Sequence, residues 1–256
     1  MQIRANGQPI ATVDDWFKFA PPKGKEHQWQ DGFSAKELAK SWCGPAGACV
    51  PPEVEALLSS NASLGKVKLS EATPEHRMRI DDLRGGVRNA DLAAIGYVGD
   101  RRVAISVEGK AAETFDNLVG RILDRSAAAI AREEWTNVPQ RVQELARAIL
   151  PNAAEGMPLL GDLRYQLLTA TAGAVAFAAA VKAQIAVVVI HEFIRPNTDD
   201  QVATNAADLD RFVNRVSAGA VQQIVPGRLE GPFSIPGNRF LSRAIPVYVG
   251  KAQSHL

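Results

Sequence analysis

Two apolar segments joined by a two-residue turn constrain the fold of this chain more than any other feature. Residues 92–98 and 103–107 are mostly apolar, and Gly99-Asp100 lies between them. A Gly-Asp pair between two apolar segments is typical of a tight β-hairpin. Because few polar residues interrupt either segment, we expect both strands to lie in a sheet that is covered on both faces.

The register of this hairpin determines which charged side chains meet. If the turn is the two-residue loop, Asp91 stands directly opposite Glu108, and Lys110 points to the same face as Glu108. Like charges that face each other across two strands destabilise a sheet. We therefore expect the two carboxylates either to share a proton or to bind a divalent cation, with the ammonium group of Lys110 beside them.

These residues resemble the signature of a known class of enzymes. Asp91, the hairpin and Glu108-Gly109-Lys110 resemble the PD-(D/E)xK nuclease signature. Parts of the chain are similar to an uncharacterised bacterial family with the restriction-endonuclease-like fold, in the strings L-R-G-G-V-R-N-A-D and V-E-G-K-A-A-E-T-F. W-Q-D-G-F-S-A-K-E-L-A-K-S-W and L-R-Y-Q-L-L are similar to the same family, so the resemblance covers most of the chain in patches. Ala90 stands where that signature usually has a proline.

The resemblance implies a fold and an activity. The fold is α/β, with a mixed central β-sheet flanked by helices, in one domain of residues 1–256 that carries an N-terminal helical extension over about 1–65. The activity is metal-dependent hydrolysis of phosphodiester bonds in nucleic acid, with DNA as the first candidate. Asp91 and Glu108 would bind Mg²⁺ or Mn²⁺, and Lys110 would position water or stabilise the developing charge. Gln166, from a helix that follows the E-x-K strand, is the fourth candidate catalytic residue.

Two carboxylates from an N-terminal helix are weaker candidates for the same site. In the resembling fold such a carboxylate often joins the metal, and Glu53 and Glu55 occupy the first turn of a helix that opens with Pro51-Pro52. The alternative interpretation, which we prefer, is that both glutamates stabilise the positive end of the helix dipole.

Two other functions remain open. The chain could keep the nuclease fold as a catalytically inactive module for binding or regulation, because a fold does not imply a function. Alternatively, Glu108 and Lys110 could form a structural ion pair in an unrelated α/β enzyme. Binding of a divalent cation through Asp91 and Glu108 distinguishes the nuclease from both alternatives.

The other secondary structure is predicted from periodicity and capping signals. Ser34 with Glu37 reads as a capping box, Asp162 as a helix N-cap, and Pro246 as a mark of an edge strand. A loop is predicted for residues 226–237, which are rich in Pro and Gly. The β-branched strand at 185–190 is expected to have a parallel neighbour. Helices are predicted for 14–19, 34–43, 51–58, 113–134, 140–150, 163–181 and 208–216, and strands for 66–69, 77–80, 185–190 and 245–249.

The net charge restricts how the chain could bind nucleic acid. A formal charge of +1 over 256 residues gives no global basic excess, so nucleic acid would need a local basic face. A group of arginines around the hairpin either supplies this face or forms a solvated rim: Arg77, Arg79, Arg84, Arg88, Arg101 and Arg102. The sequence leaves a homo-oligomer open and does not determine the oligomeric state.

Cysteine usage and hydropathy suggest a cytoplasmic protein that does not cross a membrane. No apolar segment typical of a signal peptide begins the chain, so Cys43 and Cys49 are expected to be free thiols. The longest apolar segment is interrupted by Lys182 and Gln184 and reads as a buried helix followed by a buried strand.

Overall fold

A computed structural model of the protein describes residues 1–85 and 87–256, and its centre is an eight-stranded mixed sheet. Gly86, half of the turn expected at Gly85-Gly86, lies outside the described residues. The strand order is β2-β1-β5-β6-β7-β8-β10-β9, and β3 pairs with β4 as a separate hairpin. The strands are β1 Gln2–Ala5, β2 Gln8–Ile10, β3 Cys43–Gly44, β4 Gly47–Ala48, β5 Lys68–Arg79, β6 Val87–Val98, β7 Arg101–Lys110, β8 Ile185–Ile194, β9 Leu229–Phe233 and β10 Val247–His255.

Helices cover both faces of this sheet, which confirms the predicted α/β class. Helices α1 to α3 pack on one face, and helices α4 to α7 pack on the other, each group with its own apolar core. The helices are α1 Val13–Phe19, α2 Ser34–Trp42, α3 Pro52–Ser59, α4 Val119–Ala131, α5 Val138–Ile149, α6 Tyr165–Ala180 and α7 Asp199–Val216. In the part of the chain that the structure describes, no helix is both long and apolar enough to cross a membrane.

The predicted hairpin is present and has the predicted register. Pairs run from Val98 with Arg101 to Leu92 with Val107. Gly99 has a φ of 56°, a left-handed conformation that glycine adopts without the steric cost of a side chain. Every residue of β7 after its first two is buried, as expected for a strand that is covered on both faces.

The sheet changes from antiparallel to parallel pairing beside this hairpin. Strands β5, β6 and β7 form an antiparallel meander, whereas β8 runs parallel to both β7 and β10. The connection from β7 to β8 contains α4, α5 and α6, because a parallel pair needs a long crossover. Helix α6 is almost wholly buried and contacts β6, β7 and β8, so its first turn lies over the C-terminal end of β7.

Two strand predictions were wrong, and the N-terminal extension contains strands that were not predicted. The N-terminal extension is not wholly helical, because β1 and β2 extend the sheet beyond β5. The short strands at 66–69 and 77–80 are one strand, β5. The last strand is not at an edge: β9, within the predicted loop, pairs with β10. The expected association of proline with an edge strand holds for β9 instead, because Pro232 lies in this edge strand. Pro246 precedes β10, so its missing N–H does not interrupt the ladder.

Several helix boundaries also differ from those predicted. Phe33, not Ser34, is the N-cap of α2, and the carboxylate of Glu37 accepts a hydrogen bond from the backbone N–H of Gly32 at 2.6 Å. Asp162 belongs to a short 3-10 turn, and α6 begins at Tyr165. Helix α4 begins later than predicted and α7 earlier, at Asp199.

A buried ion pair fixes the start of α6. The guanidinium of Arg164 donates to the carboxylate of Asp208 at 2.7 Å and to the carbonyl of Asp116 at 3.0 Å. The side chain of Asp208 is 2% exposed, and it also accepts a hydrogen bond from Arg211, whose side chain is 50% exposed. The carboxylate of Asp208 therefore has one mostly buried partner, Arg164, and one half-exposed partner, Arg211.

We predict that Arg164→Ala and Arg211→Ala differ strongly in stability. Arg164→Ala leaves the buried carboxylate of Asp208 without its enclosed partner, and should lower the free energy of unfolding by about 3 kcal/mol. Arg211→Ala removes a solvent-screened pair and should cost less than about 1 kcal/mol. Urea denaturation of both variants measures the difference; equal losses would show that Asp208 does not depend on the buried contact.

Candidate functional site

Asp91 lies at the end of the hairpin that is remote from the turn. The ladder between β6 and β7 ends at Leu92 with Val107, one pair before the predicted pair of Asp91 with Glu108. The Oδ2 atom of Asp91 instead accepts a hydrogen bond from the backbone N–H of Gly109 at 2.8 Å. The register is therefore as predicted, but the carboxylate of Asp91 turns to the backbone of β7 at this point.

Glu108 is buried among three side chains that can donate hydrogen bonds. It is 4% exposed, and its two carboxylate oxygens accept separate hydrogen bonds, one from Arg88 and one from Gln166. The ammonium nitrogen of Lys110 lies 3.7 Å from Oε1 of Glu108 and 5.4 Å from the ring centroid of Phe115. The structure thus brings together three of the four predicted catalytic residues, with Asp91 on the neighbouring strand.

Two residues of this region were not assigned to the site from the sequence. Arg88 was placed among the arginines around the hairpin, yet its side chain is only 11% exposed and pairs with Glu108. From the sequence, a surface ion pair or a cap is the preferred interpretation of Glu75, and a position near the site is the alternative. In β5, Glu75 falls between the pairs that flank Asp91, Pro74 with Leu92 and His76 with Ala90. The sequence did not place Glu75 in a strand, because it was interpreted as two short strands, 66–69 and 77–80, and not as the single strand β5.

Two carboxyl groups of this region have raised pKa values. Burial and the charge of Glu108 together raise the pKa of Asp91 to about 8, against the opposing effects of Lys110 and of the Gly109 N–H. Burial also raises the pKa of Glu75 to about 6, with a contribution from Glu108. Asp91 and Glu75 therefore hold their protons to higher pH than a free carboxyl group does, chiefly because they are buried.

A cleft of about 950 Å³ opens beside Asp91. One wall comes from the segment between α1 and α2 and from α2 itself, and the opposite wall comes from β5 and β6. Its lining combines aromatic, basic and acidic side chains: Trp16, Trp29, Phe33, Lys23, Arg77, Arg195, Glu75, Asp91, Glu113, Asn89 and Val87. The cleft makes Asp91 accessible to a ligand, whereas Glu108 and Lys110 are enclosed below α6.

The donor set fits a divalent cation with few protein ligands. Among the described residues, no group of three or more His, Cys, Asp or Glu side chains could hold a metal ion. Mg²⁺ is commonly held by one or two carboxylates and completes its shell with water and phosphate oxygens. Asp91 and Glu108 carry hard oxygen atoms of this kind, and both oxygens of Glu108 also accept hydrogen bonds from protein side chains.

The carboxylates of α3 lie elsewhere. Glu53 contacts Nε2 of His191 at 3.0 Å and the hydroxyl of Ser254, and its hydrogen bond from His191 lowers the pKa of Glu53 to about 2. Glu55 is 3.6 Å from the ammonium group of Lys66. Neither glutamate therefore joins Asp91 and Glu108. Both cysteines are free thiols, as predicted.

We predict that Asp91 makes the stability of the metal-free protein depend on pH. Its pKa is raised on folding, so its stabilising contribution is complete below about pH 4 and is lost as the pH rises to about 8. Asp91→Asn lacks this dependence. Its melting temperature should therefore increase relative to wild type between about pH 5 and about pH 9.

Asp100→Asn is the matched control for this pH series. Asp100 is an exposed aspartate at the turn of the same hairpin. Its melting temperature should follow that of the wild type at every pH. A constant difference between Asp91→Asn and wild type across the series would contradict the raised pKa.

A protein-family model matches almost the whole of this fold. The chain matches the protein-family model described as Domain of unknown function (DUF6946) over residues 9–255. No curated protein and no solved structure matches the chain. The matched segment contains both strands of the hairpin and the helix that carries Gln166. The chain therefore belongs to the family described as Domain of unknown function (DUF6946).

Proposed function

We propose that this protein is a metal-dependent hydrolase of phosphodiester bonds in nucleic acid, built on a restriction-endonuclease-like fold. The observation that carries the proposal is the arrangement of Asp91, Glu108 and Lys110 on two adjacent strands, with the side chain of Gln166 donating to Glu108. A single structural ion pair would not need a second carboxylate with a raised pKa beside it.

The topology around these residues supports the fold assignment. The first acidic residue and the E-x-K sequence lie on neighbouring antiparallel strands, β6 and β7. Helix α6, which follows the E-x-K strand, packs beside them and supplies Gln166. This is the arrangement that the resemblance to PD-(D/E)xK nucleases implies.

Each residue has a role that its contacts allow. Asp91 and Glu108 would hold Mg²⁺ or Mn²⁺, and a bound cation of this kind activates water and neutralises charge on a phosphate. Gln166 and Arg88 fix the orientation of the Glu108 carboxylate through their hydrogen bonds. The ammonium group of Lys110, held 3.7 Å from Glu108, can orient the attacking water or stabilise the developing negative charge.

A second candidate function rests on Arg88. Its guanidinium already pairs with Glu108, so the charge of one carboxylate is compensated without any added cation. A protein that keeps the nuclease fold for binding alone would have this property, because it needs a stable buried carboxylate and not a metal ligand. Cation binding through Asp91 separates the two functions.

We predict that Mn²⁺ stabilises the wild type and that Asp91→Asn removes most of this effect. A ligand that binds only the folded state adds about 2.7 kcal/mol at one hundred times its dissociation constant. Thermal melts with and without Mn²⁺ measure the shift, and Asp100→Asn, at the opposite end of the hairpin, should retain it. Equal shifts in Asp91→Asn and wild type would exclude Asp91 as a ligand.

Lys110→Met should separate metal binding from cleavage. Methionine keeps most of the buried volume and removes the charge, so the Mn²⁺-induced shift should persist. Cleavage of plasmid and oligonucleotide substrates should fall by about 10²–10³-fold if the ammonium group stabilises the transition state. A wild type that binds Mn²⁺ but cleaves neither DNA nor RNA would favour the binding function instead.

A further inference from the structure

We propose that the cleft beside Asp91 binds single-stranded nucleic acid and does not accommodate a continuous duplex. The inference rests on the proposed function and specifies its substrate: a strand end or an unpaired segment whose bases enter the cleft. The size of the cleft, its exposed apolar side chains and its cations each contribute to this conclusion.

The volume of the cleft suits a few unpaired nucleotides. Sites for small molecules and cofactors commonly enclose about 300–1,000 Å³, and this cleft encloses about 950 Å³. A duplex brings two backbones and is read from grooves on its outer surface. Because Asp91 lies in the wall of a concave site, a phosphodiester bond reaches it more readily on a single strand. Enzymes with such sites otherwise have to extrude a nucleotide from the stack.

Large apolar side chains are exposed within the cleft. Phe33 is 43% exposed on the wall formed by α2, and Val87 is 45% exposed on the wall formed by β6. Trp29 also belongs to the lining, and its ring packs at a tilt of 33° against Phe17, with the ring centroids 5.1 Å apart. The same cleft therefore exposes two large apolar side chains to solvent. Aromatic side chains of this kind provide surfaces on which unpaired bases stack without regard to sequence.

Cations in the same lining can meet the phosphates. Lys23 and Arg77 are exposed, one on each wall, and Arg195 is half-buried and donates to the carbonyl of Gly32 at 2.8 Å. Aromatic side chains with basic neighbours form the combination by which proteins bind single strands. These contacts place positive charge on the walls of a cleft whose acidic residues include Asp91.

The test is binding in EDTA, where cleavage does not interfere. Fluorescence anisotropy with a labelled oligo(dT), an oligo(U) and a blunt duplex of equal length gives three dissociation constants for wild type. We expect one or both single strands to bind more tightly than the duplex. Phe33→Ala should weaken single-strand binding about 5- to 150-fold, the range for loss of one stacking aromatic, and Phe33→Trp should restore it.

Trp135→Ala is the matched control, because Trp135 is 71% exposed and does not line the cleft. It should leave binding unchanged. Arg77→Ala should reduce the slope of log K against log salt by about 0.7, the value for one phosphate contact on a single strand. Circular dichroism melts establish that each variant is folded.

Failure of this inference differs from failure of the proposed function. Equal or tighter binding of the duplex, no binding of any probe, or an unchanged affinity in Phe33→Ala would each overturn the inference, even if Mg²⁺-dependent cleavage of duplex DNA is found. Phe33-dependent binding of single strands without any cleavage in Mg²⁺ or Mn²⁺ would support the inference and overturn the hydrolase.

Discussion

The buried carboxylate of Glu108 is the interaction on which this part of the structure depends. An ionised carboxylate that is 4% exposed is costly unless hydrogen bonds and opposite charges surround it. Arg88 from β6, Lys110 from β7 and Gln166 from α6 supply them, so one side chain links two strands and the crossover helix. Replacement of any one of these partners would leave the buried charge of Glu108 less compensated and still out of contact with water.

The contacts of Arg164 explain why α6 begins where it does. Arg164, directly before the helix, is held by the buried Asp208 of α7 and by backbone carbonyls of the segment after β7. Those contacts set the position of the first turn of α6, which contains Gln166. The orientation of the Glu108 carboxylate is therefore determined partly by an ion pair outside the candidate site.

The two carboxylates of the candidate site have different environments for a structural reason. Glu108 lies below α6 with compensating charges, whereas Asp91 borders the cleft and has a single backbone donor, Gly109. A cation or phosphate from solution can reach Asp91 first. The protein thus combines a buried carboxylate that has compensating charges with a carboxyl group that borders the cleft and has a raised pKa.

The sequence by itself determined the hairpin, its two-residue turn and its register, because apolar segments and a Gly-Asp turn are local signals. It also determined the α/β class and the buried strand β8, whose β-branched residues require cover on both faces. It predicted that Asp91, Glu108, Lys110 and Gln166 form one site, and the structure brings the last three of these together.

Only the tertiary structure decided which charges compensate them. The pairing of Arg88 with Glu108, the position of Glu75 between the pairs that flank Asp91, and the burial of β10 behind β9 depend on contacts between segments distant in sequence. The local sequence pattern does not reveal such contacts, because it does not distinguish an arginine on an exposed strand from one that is buried below a helix.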